Sequence, residues 1–220
     1  LASNFGATAT GAADATDLTT IYGQTSATID ATGVTGINGS AANVHTVIDH
    51  AQVNHDTNFT VTISGTSAAA ADLKAIDAIT SGIITATGVE TITGSLSDVG
   101  DVVDVDTSKG NAGQQIDIDT DYNVTLSDTG TMSASALNTL NGKVPGTVTV
   151  TAAVTLTGSA SDIATAASAD NAGTLALAAN FGATVSAGGV DAADLITIYG
   201  QTSATINATA ATGINGSAAD

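Results

Sequence analysis

Residues 18–44 read LTTIYGQTSATIDATGVTGINGSAANV, and the same framework opens again at Leu73, Leu137 and Leu195. Counting from each Leu, position +3 holds Ile21, Ile76, Leu140 and Ile198, and +11 holds Ile29, Ile84, Val148 and Ile206. Position +19 holds Ile37, Ile92, Leu156 and Ile214. Position +21 is always Gly followed by Ser: Gly39-Ser40, Gly94-Ser95, Gly158-Ser159 and Gly216-Ser217. The last copy restates the first outright. Ile21 to Ile29 recurs intact as Ile198 to Ile206, 177 residues on, and Asn4-Phe5-Gly6-Ala7-Thr8 recurs from Asn180. A shared register of apolar, Gly and Ser positions marks an internal repeat, which decides the fold before any single motif does.

Outward from this framework, the first three copies reach Val44, Val99 and Ile163 and then enter a more variable half before the next Leu. The chain thus reads as one continuous array over residues 1–220. Its double units start near Asp17, Asp72, Ala136 and Asp194, and a 177-residue super-repeat restarts near Asn180. Half-units average about 29 residues and pair into about 59. Each begins with alternating β-branched residues, as in Thr147-Val148-Thr149-Val150 or Thr60-Val61-Thr62-Ile63, the pattern of a half-buried strand. Gly-Ser-x-Ser/Ala-Asp/Asn follows, as in Gly94-Ser95-Leu96-Ser97-Asp98, which resembles a capping box. Helical spacing comes next (Leu18, Ile21, Tyr22; Val99, Val102, Val103) and predicts helices of one or two turns. Gly23, Gly82 and Asn141-Gly142 read as their ends. The expected fold is a β-rich repeat protein, an elongated β-solenoid-like rod of strand-strand-short-helix units. No unit buries its apolar face alone, so neighbours must stack. Phe5, Tyr22, Phe59, Tyr122, Phe181 and Tyr199 recur at equivalent parts of the repeat and read as packing residues. Leu1 is no start residue and follows no signal peptide, and Asp220 stops where Asp98 and Asp162 run on into a helix. The chain therefore reads as a fragment of a longer chain or fibre.

Composition narrows function. The 220 residues carry 21 Asp and Glu against three Lys (Lys74, Lys109, Lys143) and no Arg, a net charge of −18. A nucleic-acid partner needs cations to displace counterions, and three scattered lysines form no basic stripe. The same scarcity denies attraction to anionic lipid, and no apolar run approaches bilayer-spanning length, so membrane insertion is not expected. With no Cys there is no disulfide framework or thiolate chemistry. A hydrophobic fraction of 43% lies outside the disordered class.

Reactive constellations are few. Asp117, Asp119 and Asp121, with Asp128 at the twelfth place, faintly resemble a calcium loop. Tyr122 stands where that loop needs Gly, the terminal Glu is missing, and Ile116 and Ile118 alternate with the acids as on an exposed strand. Calcium is the one cofactor these residues suggest. Asp98, Asp101, Asp104 and Asp106 form a second dense acidic group. His45, His50 and His55 fall five apart, a spacing that does not align them on one helix face, and they read as surface residues. Thr32, Thr87, Thr151 and Thr209 share position +14, but +12 varies (Asp30, Thr85, Thr149, Asn207), so a flat Thr face is broken and cross-strand pairing is the ordinary reading. No Ser/His/Asp set or glycine elbow stands out, and nothing singles out one carboxylate pair. The expectation is not an enzyme.

Val124-Thr125-Leu126-Ser127-Asp128-Thr129-Gly130-Thr131, leading to Ala136-Leu137-Asn138-Thr139-Leu140, and the Thr147–Ile163 run resemble a known sequence type. They look like the Thr/Ala/Gly-rich tandem repeats of giant extracellular and cell-surface proteins of marine cyanobacteria. Similar repeats occur in structural proteins of phages that infect them. The resemblance covers most of the chain and transfers no catalytic residue. The long variable half around Gly110-Asn111-Ala112-Gly113 and the three histidines depart from it. It implies a structural role in an extracellular filament, surface layer or giant surface protein, by assembly with copies of itself or neighbouring repeats. The alternatives are an adhesin module that takes calcium or glycan, or binds a cell surface, and a phage fibre protein.

Overall fold

The structure is a computed structural model that describes residues 3–106 and 115–216; Leu1, Lys109, the Gly110–Gly113 run and Asp220 lie outside them. The chain divides into two compact units, residues 1–93 with 98–122 and residues 94–97 with 123–220.

In the first unit, β1 (Ala7–Asp14), α1 (Ala15–Tyr22), β2 (Ile29–Gly39), α2 (Ala41–Ile48), β3 (Val53–His55), β4 (Thr60–Ile63), β5 (Ser67–Ala69), α3 (Ala70–Ile79) and β6 (Ile84–Ala86) follow in order. Then come β7 (Thr91–Gly94), most of α4 (Leu96–Asp104) and β8 (Ile116–Ile118). Its main sheet has the order β1-β2-β4-β6-β8 with β3 also beside β2, and β5 pairs with β7. The second unit holds β9 (Asn123–Leu126), β10 (Thr131–Ser133), α5 (Ala134–Asn141), β11 (Val148–Val150), β12 (Thr155–Gly158) and α6 (Ala160–Ala172). It continues with β13 (Leu175–Ala176), β14 (Gly182–Val185), β15 (Gly188–Asp191), α7 (Ala192–Gln201), β16 (Ile206–Asn207) and β17 (Ala211–Asn215). Its ladders run β9-β11-β13, β10-β12-β14-β16 and β15-β17.

This corrects the expected β-solenoid-like rod. The described residues form an α/β structure with parallel sheets and seven helices, and nearly as many residues are helical as extended. The helices run eight to thirteen residues, from about two turns, the upper end of the expectation, to more than three. The reason lies one turn before the Leu that seemed to open each helix. Ala15, Ala70 and Ala134 sit three residues ahead of Leu18, Leu73 and Leu137, and all six are buried. Alanine is the best helix former and lies on the same face at i, i+3, so it adds a buried turn that apolar bulk alone does not reveal. Parallel strands then need crossovers, and these helices supply them.

The repeat positions have separate physical causes. Leu18, Ile29 and Ile37, like Leu73, Ile84 and Ile92 or Leu137, Val148 and Leu156, are at most 1% exposed. Each such burial contributes roughly 1.5–3 kcal/mol. The Gly at +21 is a backbone requirement: Gly39, Gly94, Gly158 and Gly216 have φ of 157°, 154°, 149° and 153°. The Ser after it caps the next helix: Ser40 accepts from the Asn43 N–H at 3.2 Å and Ser159 from the Asp162 N–H at 3.1 Å. The Ser159 hydroxyl also donates to Asp162 Oδ2 at 2.7 Å. The ends read at Gly23 and Gly142 need no left-handed residue, since both are right-handed at φ −66° and −72°. Gly82 is required for another reason: a Cβ there would overlap the Phe59 carbonyl.

Candidate functional site

The acidic residues disperse into local duties. Asp117 lies on β8 between buried Ile116 and Ile118; Asp119 Oδ1 accepts from the Thr120 N–H at 2.7 Å, and Asp121 is exposed. In the second unit, Asp128 Oδ2 accepts the Leu96 N–H at 2.7 Å, at the start of α4. Among the described residues no three His, Asp or Glu side chains converge in a way that could hold a metal ion. Asp98 and Asp101 hold Lys74 between them, each 2.7 Å from its Nζ, and these bonds raise the lysine's pKa. Asp106 is fully buried and its Oδ1 accepts the Ile118 N–H at 3.3 Å. Burial, and secondarily the charge of Asp106, push the Tyr122 phenol well above its ordinary range.

The histidines do not converge either. His45 Nδ1 lies 2.8 Å from Asp72, His50 stacks on Tyr22, and His55 has carbonyls at both ring nitrogens, Asp56 at 2.7 Å and Ile48 at 2.9 Å. The variable +12 position also finds its cause. Asp30 and Asn207 each take the backbone N–H and the hydroxyl of the Thr two residues on, Thr32 and Thr209. These are local turns, which Asp and Asn side chains form and a Thr hydroxyl forms only more weakly.

What gathers is apolar. In the second unit Leu195, Ile196 and Tyr199 of α7, with Ile206 and Ala208, line an open cavity of about 340 Å³. Ile196 is 53% exposed, Tyr199 76%, and Ile214 on β17 64%. The helix carries this stripe because Leu195, Ile196 and Tyr199 stand at i, i+1 and i+4, one face of α7. The fourth-copy tyrosine, expected to pack like its counterparts, is thus on the surface. β16 and β17 each end their ladders among the described residues. Among the described residues this apolar face stands beside the last strands of two ladders. Apart from Ile196, which stands where the first copy has Thr19, the lining residues copy those of a buried segment, so their identity does not mark them as exposed.

No helix among the described residues is long and apolar enough to cross a membrane. Compared with known protein families, curated proteins and solved structures, the chain matches none.

Proposed function

We propose that the chain is a structural element of an extracellular or cell-surface assembly and works by associating with copies of itself or with neighbouring repeats. The observation that carries this reading is that each repeat half bonds to the next: the +11 N–H donates to the following half at Ile29 (Gln52 O, 2.8 Å), Ile84 (Gln115 O, 2.7 Å) and Val148 (Thr174 O, 3.0 Å). The resemblance to giant surface-protein repeats supports the extracellular setting. Sedimentation velocity over a hundredfold concentration range, with electron microscopy of the concentrated material, tests it. Concentration-dependent assembly that ignores chelator is expected. A chain that stays monomeric throughout overturns the reading, and assembly that requires calcium favours the calcium-dependent adhesin instead.

A further inference from the structure

His55 has an acceptor at each of its ring nitrogens. Its Nε2 lies 2.9 Å from the Ile48 carbonyl oxygen, and its Nδ1 lies 2.7 Å from that of Asp56. A carbonyl oxygen only accepts, so the two bonds exist together only when the ring carries a proton on each nitrogen. The neutral ring has a single N–H, and its other nitrogen then sets a lone pair against a carbonyl at hydrogen-bond distance. The buried Phe59 ring stands nearly perpendicular to the imidazole, with centroids 5.2 Å apart, and limits how far it can turn away.

The place of the ring in the fold favours the same form. Ile48 is the last residue of α2, so its carbonyl has no partner within the helix and lies at the negative end of the helix dipole. A cationic side chain that donates to that carbonyl both caps the helix and complements its dipole. The elements packed against β3 are β2 and α2. With the turns beside β3 they bring Asp30, His45, Asp49, His50 and Asp56, and no Lys or Arg. His45 keeps its Nδ1 bond to Asp72 whether the ring is neutral or charged. His50 works in the opposite sense, because its Nδ1 accepts the Gln52 N–H at 3.2 Å and a proton there would break that bond. Of the three, only His55 gains a hydrogen bond on taking a second proton.

We infer that His55 is an acid-strengthened clasp that fastens β3 to the C-terminal end of α2. Protonated, the ring donates to the Ile48 and Asp56 carbonyls together and sets a positive charge at the end of the helix. Neutral, it gives up one of these bonds, and β3 is held less firmly. The stability from the clasp is present where the ring is protonated and is lost as pH rises through the histidine range, between about pH 5 and pH 8. β3 is the strand on which such a change tells most. It has three residues, lies off the main path of its sheet and pairs with β2 through Ile29↔Val53, Asp30↔Asn54 and Ala31↔His55. The clasp makes the contact between two successive half-units responsive to acidity, and it is independent of whether copies of the chain assemble.

Two measurements on the intact chain test the clasp. In NMR spectra of the imidazole rings at about pH 5.5, both His55 ring protons should exchange slowly with water and show couplings across hydrogen bonds to the Ile48 and Asp56 carbonyl carbons. At about pH 8 one of the two couplings should be gone. Hydrogen exchange of the Val53 and Asn54 amides, corrected for intrinsic rates, supplies the second measurement. His55→Gln keeps a donor for the Ile48 carbonyl and cannot titrate. The gain in protection from about pH 8 to about pH 5.5 should therefore be about tenfold larger in the parent chain than in that variant, the ratio that one charge-assisted hydrogen bond produces. A ring coupled to only one carbonyl at the lower pH overturns the clasp, and so does a variant that keeps the full gain in protection. If the variant fails to fold, the ring couplings of the parent decide alone. A parent chain that stays monomeric bears on the assembly reading and leaves the clasp untouched.

Discussion

Buried threonine hydroxyls tie one half-unit to the next. Thr25 Oγ1 donates to the Phe5 carbonyl at 2.6 Å and accepts the Ala27 N–H at 3.1 Å. Thr80 makes the same pair of bonds to the Phe59 carbonyl and the Gly82 N–H, and Thr202 to the Phe181 carbonyl and the Ala204 N–H. In the copy that carries Val144 instead, Asn123 stands at the Phe position and its carboxamide oxygen takes the Thr147 N–H at 2.9 Å. Thr80→Val keeps the shape but strips a buried carbonyl and a part-buried N–H of their partner, so it should lower stability by about 1–3 kcal/mol in urea titration. A midpoint within error of the parent would show the link to be dispensable. Asp77 makes the opposite contribution. It takes the +4 place that Tyr22 holds in the first copy, one of its oxygens is buried without a partner, and burial raises its pKa. A carboxyl whose folded pKa lies above its unfolded value contributes stability below the unfolded value and loses it as pH rises through the folded one. Asp77→Asn should therefore raise the melting temperature at pH 7 and lose that advantage once pH falls well below the ordinary carboxylate range, where both states are protonated. An equal gain at both pH values would trace the effect to something other than the charge.

At the level of elements, the strand-to-helix junction is the most legible feature of this chain. Gly-Ser at +21 and +22 corresponds to a glycine at φ near +150° and, at Ser40 and Ser159, a serine that caps the helix after it. Gly39→Ala should cost about 1–3 kcal/mol, because alanine rarely adopts that backbone and its Cβ would stand 3.0 Å from the Ala15 Cβ. Thermal unfolding of that variant beside Gly65→Ala, which has positive φ but open space, separates strain from crowding. Helix length was less legible. Ala at the first turn carries no hydrophobic period, yet Ala15, Ala41, Ala70, Ala134 and Ala160 are all buried there. The candidate calcium residues show the same limit from the other side. Asp117, Asp119, Asp121 and Asp128 are close in sequence, but β8 ends at Ile118, Asp119 turns back on the Thr120 N–H, and Asp128 is drawn to the start of α4.

For the whole molecule, the charge of −18 acts as a uniform opposing pressure, since only three lysines stand against 21 carboxylates. Raising salt from about 10 mM to about 150 mM shortens the screening length from roughly 30 Å to roughly 8 Å and should raise the melting temperature. Calorimetry showing a decrease would mean that attractive pairs such as Lys74 with Asp98 and Asp101 outweigh the repulsion. The repeat, its register and the glycine-serine junctions were determined by the amino-acid order, because each follows from local backbone preference and apolar spacing. Tertiary structure alone decided that these segments form parallel sheets with substantial helices, because that outcome depends on which strand each crossover returns to.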